Sequence, residues 1–412
     1  MKADFSIDYA YRWKSLPWKE FEKTLFQLQC KLYRAVYNKD KQSINYFQRL
    51  IFTSRAAKFL AVREVTKQIR NKKNVARDHP SNNHYQYKFK LVENVKLFTT
   101  NGSRLNQDEY NHILPIINEY LLENIIYYAL EPIYEVYYSS GAYGWKVSKN
   151  ENNAIFDIRE TLRFYSKSTD QKVLKVSCNN FLKRINYNFL FSLFTLPKKM
   201  QSTLKHILLK KKTSTFFEDS LMNSDKKSDK LGNLILHLLL NGIEDLNNHK
   251  DLKAETGQKG FRYNASLIFI LDKYQDPNIL IDNIKMFLKR RLFNLENITI
   301  ETIQIRDDFD CFSWSIRANI DKKKIVVSPS TISRKNFKSK IKKIVKDTRF
   351  NLDKRLEIVQ SNYKLWLHSN QYCCSASLHV FSIKKWLYTY IRNNSTKSRS
   401  QSKEILKNIF SV

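Results

Sequence analysis

The sequence FRYNASLIFI occupies Phe261–Ile270 and decides how the middle of the chain folds. Its centre is a short polar turn around Asn264, which separates a basic beginning at Arg262 from the apolar run Leu267–Ile270. Turn-forming residues between two stretches of β-prone side chains predict a strand, a tight turn and a second strand. We expect the aromatic ring of Tyr263 and the apolar run to pack into the core of a sheet.

Outward from this segment, the chain of 412 residues is strongly basic. Lys and Arg total 72 against 39 Asp and Glu, which gives a formal net charge of +33. Such an imbalance is self-repelling until a polyanion neutralises it, so nucleic acid is the leading partner. A basic ribosomal or membrane-surface protein is the alternative. The hydrophobic content of 42% is enough for two or three domains with real cores.

Other residue patterns exclude several classes of protein. The five cysteines form no CxxC pair and the eight histidines show no metal-ligand spacing, so we predict no disulfide framework and no metal site. No cofactor or small-molecule substrate is implied. The most apolar run, Leu234–Leu240, is interrupted by His237 and is too short to span a bilayer. No signal peptide opens the chain, and we expect a soluble protein with no membrane partner.

The beginning of the chain predicts a bundle of basic helices. Leu25, Leu32 and Val36 belong to one apolar stripe at helical spacing. Further along the chain, eight Lys and Arg residues lie within 25 residues, and Glu64 is the one acidic residue among them. A run of one sign favours contacts with an RNA backbone, whereas the alternative is a solvated helix surface. The predicted RNA-binding residues of this run are Arg49, Arg55, Lys58, Arg63, Lys67, Arg70, Lys72 and Lys73.

These first helices resemble a known domain. The resemblance rests on the pair Leu28-Gln29, FQRLI at Phe47–Ile51, SRAAKFLAVREVT at Ser54–Thr66 and the RNKKN that soon follows. This order is similar to the N-terminal domain of group II intron reverse transcriptase/maturases.

The resemblance continues downstream in family order, although many signature residues are changed. The similar segments are ALEPIYEVYYSSGAYGW at Ala129–Trp145, VLKVSCNNFLKRINYNFLF at Val173–Phe191, LGNLILHLLLNGIE at Leu231–Glu244, DDFDCFSWSIR at Asp307–Arg317 and RLEIVQSNYKLWLHSNQY at Arg355–Tyr372. The family's Tyr-x-Asp-Asp turn corresponds to Tyr263–Ser266.

The resemblance implies a polymerase frame without its chemistry. Ser177, Ala265 and Ser266 stand where the family has aspartates. Two-metal polymerisation needs carboxylates to hold the ions, yet no Asp or Glu occurs in Gln171–Phe217 or in Thr256–Leu271. We therefore expect no catalytic residues, no metal and no enzymatic activity. The lost negative charge makes the groove more attractive to RNA.

The resemblance also implies a fold. We expect the α+β class, with a helical N-terminal head at 1–80 and degenerate reverse-transcriptase fingers and palm at 81–320. A helical thumb or maturase-like module at 321–392 and a polar basic tail at 393–412 follow. The palm should hold Val173–Cys178 beside Tyr263–Ile270 in one antiparallel sheet. Lys146, Lys338 and Lys342 are further predicted RNA-binding residues.

The sequence-based functional hypothesis is a non-catalytic RNA-binding protein that resembles the degenerate plastid maturase-like proteins. It would bind structured intron or transcript RNA and assist the splicing of organellar group II or related introns. The alternative is a structural RNA-associated protein that acts on ribosomal-protein transcripts or ribosome assembly without a splicing role. The bias towards Lys, Asn, Ile, Phe and Tyr is typical of AT-rich organellar coding, which favours a plastid, with the mitochondrion second. The sequence leaves the oligomeric state open.

Overall fold

The computed structural model describes residues 8–72, 82–95, 114–139, 141–144, 149–165, 172–178, 185–193, 196–213, 230–246, 259–271, 275–292, 295–296, 298–319, 324–374, 380–394 and 398–410. Packing divides the chain into two compact units. The first unit comprises Met1–Ser139, Asn180–Asn241 and Met286–Glu296. The second unit comprises Ser140–Asn179, Gly242–Lys285 and Asn297–Val412.

The helices in chain order are α1 (Tyr9–Lys14), α2 (Trp18–Tyr37), α3 (Lys41–Thr53), α4 (Arg55–Lys72), α5 (Asn82–Asn94), α6 (Leu114–Tyr137), α7 (Glu151–Tyr165), α8 (Tyr187–Leu193), α9 (Lys198–Thr213), α10 (Lys230–Leu240), α11 (Pro277–Arg291), α12 (Thr331–Val345), α13 (Leu352–Ser369), α14 (Phe381–Asn394) and α15 (Arg399–Phe410). The strands are β1 (Ala142–Tyr143), β2 (Lys172–Cys178), β3 (Lys259–Tyr263), β4 (Ser266–Leu271), β5 (Ile298–Gln304), β6 (Phe309–Cys311), β7 (Trp314–Asn319) and β8 (Lys324–Pro329). A short 3-10 helix spans Ile243–Asp245.

The first unit is built around α6. Leu121, Leu122 and Tyr134 are buried on different sides of this helix, and α2, α3, α4, α9 and α10 all pack against it. A helix that is apolar on every side belongs in a core rather than at a surface. The amide of Gln29 ties α2 to α6, because its Nε2 atom donates to the Tyr128 carbonyl.

The predicted apolar stripe of α2 lies in this core. Leu25, Leu32 and Val36 are buried, as their helical spacing predicts. The predicted head boundary at residue 80 is not retained, because α5 lies beyond it and packs against the preceding helices. The Phe89 ring of α5 lies 5.5 Å from Trp13 and 6.0 Å from Phe59, measured between ring centroids.

The second unit contains a five-stranded sheet in the order β1-β3-β4-β2-β5. Strand β2 is antiparallel to both β4 and β5, and β3 is antiparallel to β4. The predicted juxtaposition is confirmed, since Val173 pairs with Ile270 and Ser177 pairs with Ser266. The two-residue strand β1 differs from the expectation because it lies parallel to β3. The α+β class is confirmed.

The segment that opens the sequence analysis forms the β3–β4 hairpin. Tyr263 pairs with Ser266 across a turn of two residues, Asn264 and Ala265. The backbone of Asn264 is left-handed, with φ 53°, a conformation that Asn adopts more readily than most other side chains. The predicted strand, turn and strand are therefore present, and each strand has a buried apolar face against which the rest of the unit packs.

A second sheet joins the middle of the chain to its C-terminal part. The strands β6, β7 and β8 form an antiparallel meander. The predicted domain boundary at 320 is not retained, because it falls between β7 and β8. These two strands pair along their length, with Trp314 opposite Pro329 and Asn319 opposite Lys324. Backbone hydrogen bonds across the boundary hold both sides in one sheet.

The C-terminal helices α12 to α15 share one apolar core. Phe337 and Ile341 of α12 are buried in it, as their spacing predicts, and the Trp366 ring stacks on Phe337 at 4.8 Å. The segment predicted as a polar basic tail differs from that expectation. It forms α15, whose Phe410 ring lies 4.7 Å from Tyr363. Its apolar side chains have helical spacing and pack into this core.

Candidate nucleic-acid interface

The three positions predicted to have lost catalytic aspartates lie at one end of the five-stranded sheet. Ser177 near the end of β2 pairs with Ser266 at the beginning of β4. The Cys178 N–H donates a hydrogen bond of 2.9 Å to the carbonyl of Ala265 in the turn. The fold thus brings together residues that are almost 90 positions apart in the sequence, as a two-strand site requires. On the other side of β2, Ser177 pairs with Thr299 of β5.

Directly opposite residues in an antiparallel pair lie on the same face of the sheet. Ser266, Ser177 and Thr299 therefore form a row of hydroxyl side chains across three strands, which we call the hydroxyl row. Hydroxyl groups are neutral, whereas a two-metal site needs carboxylates to balance two divalent ions. Among the described residues, no group of three His, Cys, Asp or Glu side chains could hold a metal ion.

The acid nearest to the hydroxyl row along these strands is Glu301. It pairs in register with Lys175 rather than with Ser177, and its carboxylate lies 3.9 Å from the Lys175 Nζ atom. Its charge is therefore partly compensated by the neighbouring strand. The hydroxyl groups of this row can accept or donate hydrogen bonds, and none of the row's described side chains is a carboxylate.

A fully buried ion pair holds the hairpin in place. The Arg262 Nε atom of β3 lies 2.7 Å from the Glu244 Oε1 atom of the 3-10 helix, and neither side chain is exposed. The chain here is packed so closely that a Cβ atom at Gly260 would lie 2.4 Å from the Glu244 carbonyl oxygen. Only glycine fits at that position without a shift of the backbone. Tyr263 next to the pair is also largely enclosed, and burial raises the pKa of its hydroxyl group.

The basic run of the first helices does not form one continuous face. In α4, Arg55 and Lys67 are exposed and Lys58 is half-buried. At about 100° per residue, Lys58 lies roughly 180° around the helix from Lys67, and Arg55 lies roughly 120° from it. Residues Ala57, Phe59, Leu60, Ala61, Val62 and Val65 are buried between these cations, because α2, α3, α5 and α6 all contact α4. The described cations of α4 therefore lie on more than one side of the helix, and their contacts with RNA stay a prediction.

Arg63 has a structural role in the first unit. Its guanidinium forms an ion pair with Glu22 of α2, and its Cζ atom lies 4.7 Å above the centroid of the Trp18 ring. The acidic residue of the run, Glu64, is in turn paired with Lys230 of α10 at 3.2 Å. Sequence spacing could not identify these pairs, because their members come from different helices.

The structure describes only some of the other predicted RNA-binding residues. Arg49 is exposed on α3. The backbones of Arg70 and Lys72 lie within α4, but their side chains are outside the described residues. Lys73 and Lys146 also lie outside the described residues.

A single-faced group of cations lies instead on α12 and its C-terminal cap residue. Four lysines recur at spacings of three and four residues and therefore fall within roughly 80° of one another around the helix. The half-buried members flank the apolar face, and the Lys342 Nζ atom lies 5.4 Å from the centroid of the Trp386 ring. This lysine row consists of Lys335, Lys338, Lys342 and Lys346.

The lysine row adjoins an open depression of about 640 Å³ at the end of α12. Lys342, Lys343, Lys346 and Arg349 contribute cationic side chains to its lining. The pKa of Asp347 is lowered to about 2, mainly because Arg349 donates hydrogen bonds to its carboxylate. Arg349 was missed by the sequence analysis, although the basic run that continues past the helix could have indicated it.

No described helix is long and apolar enough to cross a membrane. The described chain thus combines basic helices with a five-stranded sheet that carries a row of hydroxyl groups at one end. Residues 13–95 match the family model described as the N-terminal domain of reverse transcriptase.

The chain is also similar along nearly its whole length to two curated relatives. Maturase-like protein 1 of Euglena gracilis is 23% identical, over 96% of this chain and 86% of the relative. Maturase-like protein 1 of Euglena longa is 22% identical, over 97% of this chain and 87% of the relative. The resemblance stated from the sequence is thus confirmed: the first helices are similar to the N-terminal domain of reverse transcriptase, and the whole chain is similar to maturase-like proteins.

Proposed function

We propose that this chain is a non-catalytic maturase-like protein that binds structured RNA and assists the splicing of group II or related introns. The observation that carries the proposal is the hydroxyl row, whose serines stand at positions for which the sequence resemblance implies metal-binding carboxylates. The retained fold, without acids at these positions, is suited to binding a polyanion rather than to polymerising nucleotides. The maturase-like relatives support the splicing role.

The proposed RNA contacts are electrostatic. The lysine row and the neighbouring Lys343 supply cations on one helix, and Arg49, Arg55 and Lys67 supply exposed cations among the first helices. Structured RNA is recognised largely through its shape, its phosphates and its unpaired loops. Scattered cations on two surfaces suit a large folded RNA better than a short linear site. The formal net charge of +33 supports this partner.

The proposed setting is organellar. The composition is biased towards residues with AT-rich codons, and both relatives come from Euglena species. We propose the plastid as the first location and the mitochondrion as the second.

Co-purified RNA tests the splicing role. The protein would be tagged in its native cells, cross-linked to RNA and recovered, and the bound RNA would be sequenced. We expect unspliced intron sequences to be enriched over spliced transcripts. Enrichment of ribosomal RNA or of spliced ribosomal-protein messengers would contradict the splicing role and support the alternative function in ribosome assembly or transcript binding.

Primer extension tests the absence of polymerase chemistry. With a primed RNA template, nucleotides and either Mg²⁺ or Mn²⁺, we expect no extended product, because the hydroxyl row cannot neutralise two divalent ions. A Ser177→Ala variant is the matched control for contaminating polymerases. Extension by the unsubstituted protein that disappears in Ser177→Ala would contradict the proposal, whereas equal extension in both would identify a contaminant.

A further inference from the structure

The outer face of α2 presents a row of exposed aromatic side chains. Phe26, Tyr33 and Tyr37 are 65%, 40% and 70% exposed, respectively. Their spacings of seven and four residues place them within roughly 40° of one another around the helix. Exposed apolar side chains are ordinary when they are scattered singly, but an aligned group indicates a binding surface. We call these three residues the aromatic stripe.

Cations accompany the aromatic stripe. Lys19, Lys23 and Arg34 are exposed, and all three lie within roughly 80° of Phe26 around α2. The nearest acid, Glu22, is already engaged by Arg63. The surface therefore combines aromatic faces with exposed cations, a combination that fits unpaired nucleotides, whose bases stack on aromatic rings while cations attract their phosphates.

A small cavity lies at one end of the aromatic stripe. It measures about 210 Å³ and is lined by Phe26, Gln29, Leu60 and Tyr128, together with the Arg63–Glu22 and Lys230–Glu64 ion pairs. Pockets for drug-sized ligands measure about 300–1,000 Å³, so this one has room for a single planar ring only. Its walls offer an aromatic side chain, hydrogen-bond donors and carboxylate acceptors, which are the groups that bind a base turned out of a strand.

We propose that the aromatic stripe binds unpaired bases of an RNA loop, with one base entering the cavity beside Phe26. This inference rests on the proposed RNA-binding function and adds the kind of RNA and the residues that select it. Fully paired RNA hides its base faces, so the stripe discriminates single-stranded loops from duplex. The cations next to it attract both forms equally through their phosphates.

The test compares two RNAs and two variants of the full-length protein. Phe26→Leu/Tyr33→Leu/Tyr37→Leu removes the rings but keeps good helix formers and apolar surface. The control, Tyr137→Leu/Phe156→Leu/Phe381→Leu, removes three other exposed rings. Affinity is measured over a salt series for a hairpin RNA with a large unpaired loop and for a blunt duplex of equal length.

We expect the stripe variant to bind the hairpin roughly a hundredfold more weakly, since each of the three stacked bases contributes about fivefold, the lower end of the stacking range. Duplex binding should stay within about twofold, and the salt slope should not change, because no cation is removed. The control variant should behave like the unsubstituted protein. Photocross-linking from 5-iodouracil in the loop should label peptides from α2, and labelling confined to other helices would overturn the inference.

The remaining outcomes separate this inference from the proposed function. Equal affinities of the stripe variant and the unsubstituted protein for the hairpin would overturn the inference alone, provided that both bind RNA. Failure of the unsubstituted protein to bind either RNA would overturn both. If the substitutions changed the sedimentation of the protein but not its RNA affinity, the stripe would instead be a contact between two copies of this chain.

Discussion

Replacement of Glu244 by Ala is expected to lower the free energy of unfolding of the second unit by about 3–5 kcal/mol. The substitution leaves the fully buried guanidinium of Arg262 without the carboxylate that lies 2.7 Å from it. A charge removed from water without its counter-ion has a large desolvation cost, which the pair normally offsets. Urea unfolding, followed by hydrogen exchange at the amides of β3 and β4, measures the change in this unit.

Two comparisons sharpen this experiment. Arg262→Met combined with Glu244→Gln removes both charges, and we expect the double variant to be markedly more stable than Glu244→Ala. Glu357→Ala breaks the exposed pair with Lys354, in which both side chains are more than half exposed, and should change stability little. A loss below about 1 kcal/mol for Glu244→Ala would show that the buried pair does not hold the hairpin.

The core of the second unit was the part most accessible to sequence reasoning. The strand, turn and strand around Asn264 follow from local residue preferences, and the family order identified β2 as their neighbour. In the observed register Val173 pairs with Ile270, and both side chains lie in one apolar core. Local pattern and long-range order point to the same sheet, which explains why the sequence predicts its pairing.

The exposed side of α4 could not be predicted from its basic run. A run of cations predicts a surface, but Phe59, Val62 and Val65 between them are buried by four neighbouring helices. Small and apolar side chains around the whole helix give little amphipathic signal, so the sequence did not show which side faced solvent. Likewise, Arg63 meets a partner 41 positions earlier, a pairing that only the tertiary fold creates.

The last helix was missed for a different reason. Its polar beginning suggested a tail, yet Ile405, Leu406, Ile409 and Phe410 have the spacing of an amphipathic helix. The signal was therefore present but short, and isolated helices of this length are marginal in water. The stability of α15 comes from the groove between its neighbours, where Phe410 meets Tyr363. Such a groove cannot be inferred from the segment alone.

Neutralising the lysine row is expected to have the largest effect on RNA binding. The four substitutions Lys335→Gln, Lys338→Gln, Lys342→Gln and Lys346→Gln remove four positive charges but keep most of each aliphatic side chain. Each phosphate contact contributes about 0.7–0.9 to the slope of log affinity against log salt, so four contacts should flatten the slope by roughly 3. At about 0.1 M salt this corresponds to roughly a thousandfold weaker binding, because fewer counter-ions are released. Filter binding or fluorescence anisotropy over a salt series with one structured intron RNA measures both quantities.

A matched control decides whether position or total charge matters. Lys205, Lys285, Lys289 and Lys324 are exposed lysines on other elements, and their replacement by Gln changes the net charge by the same amount. If RNA is held by long-range attraction alone, the slope of log affinity against log salt should flatten equally in both quadruple variants. If the lysine row contacts phosphates, its variant should lose much more, since direct contacts release counter-ions and distant charges are screened beyond about 10 Å at 0.1 M salt. Circular dichroism should show both variants folded, because the apolar face of α12 is untouched. Equal slopes for the two variants would therefore remove α12 from the interface and leave the exposed cations of the first helices as its electrostatic part.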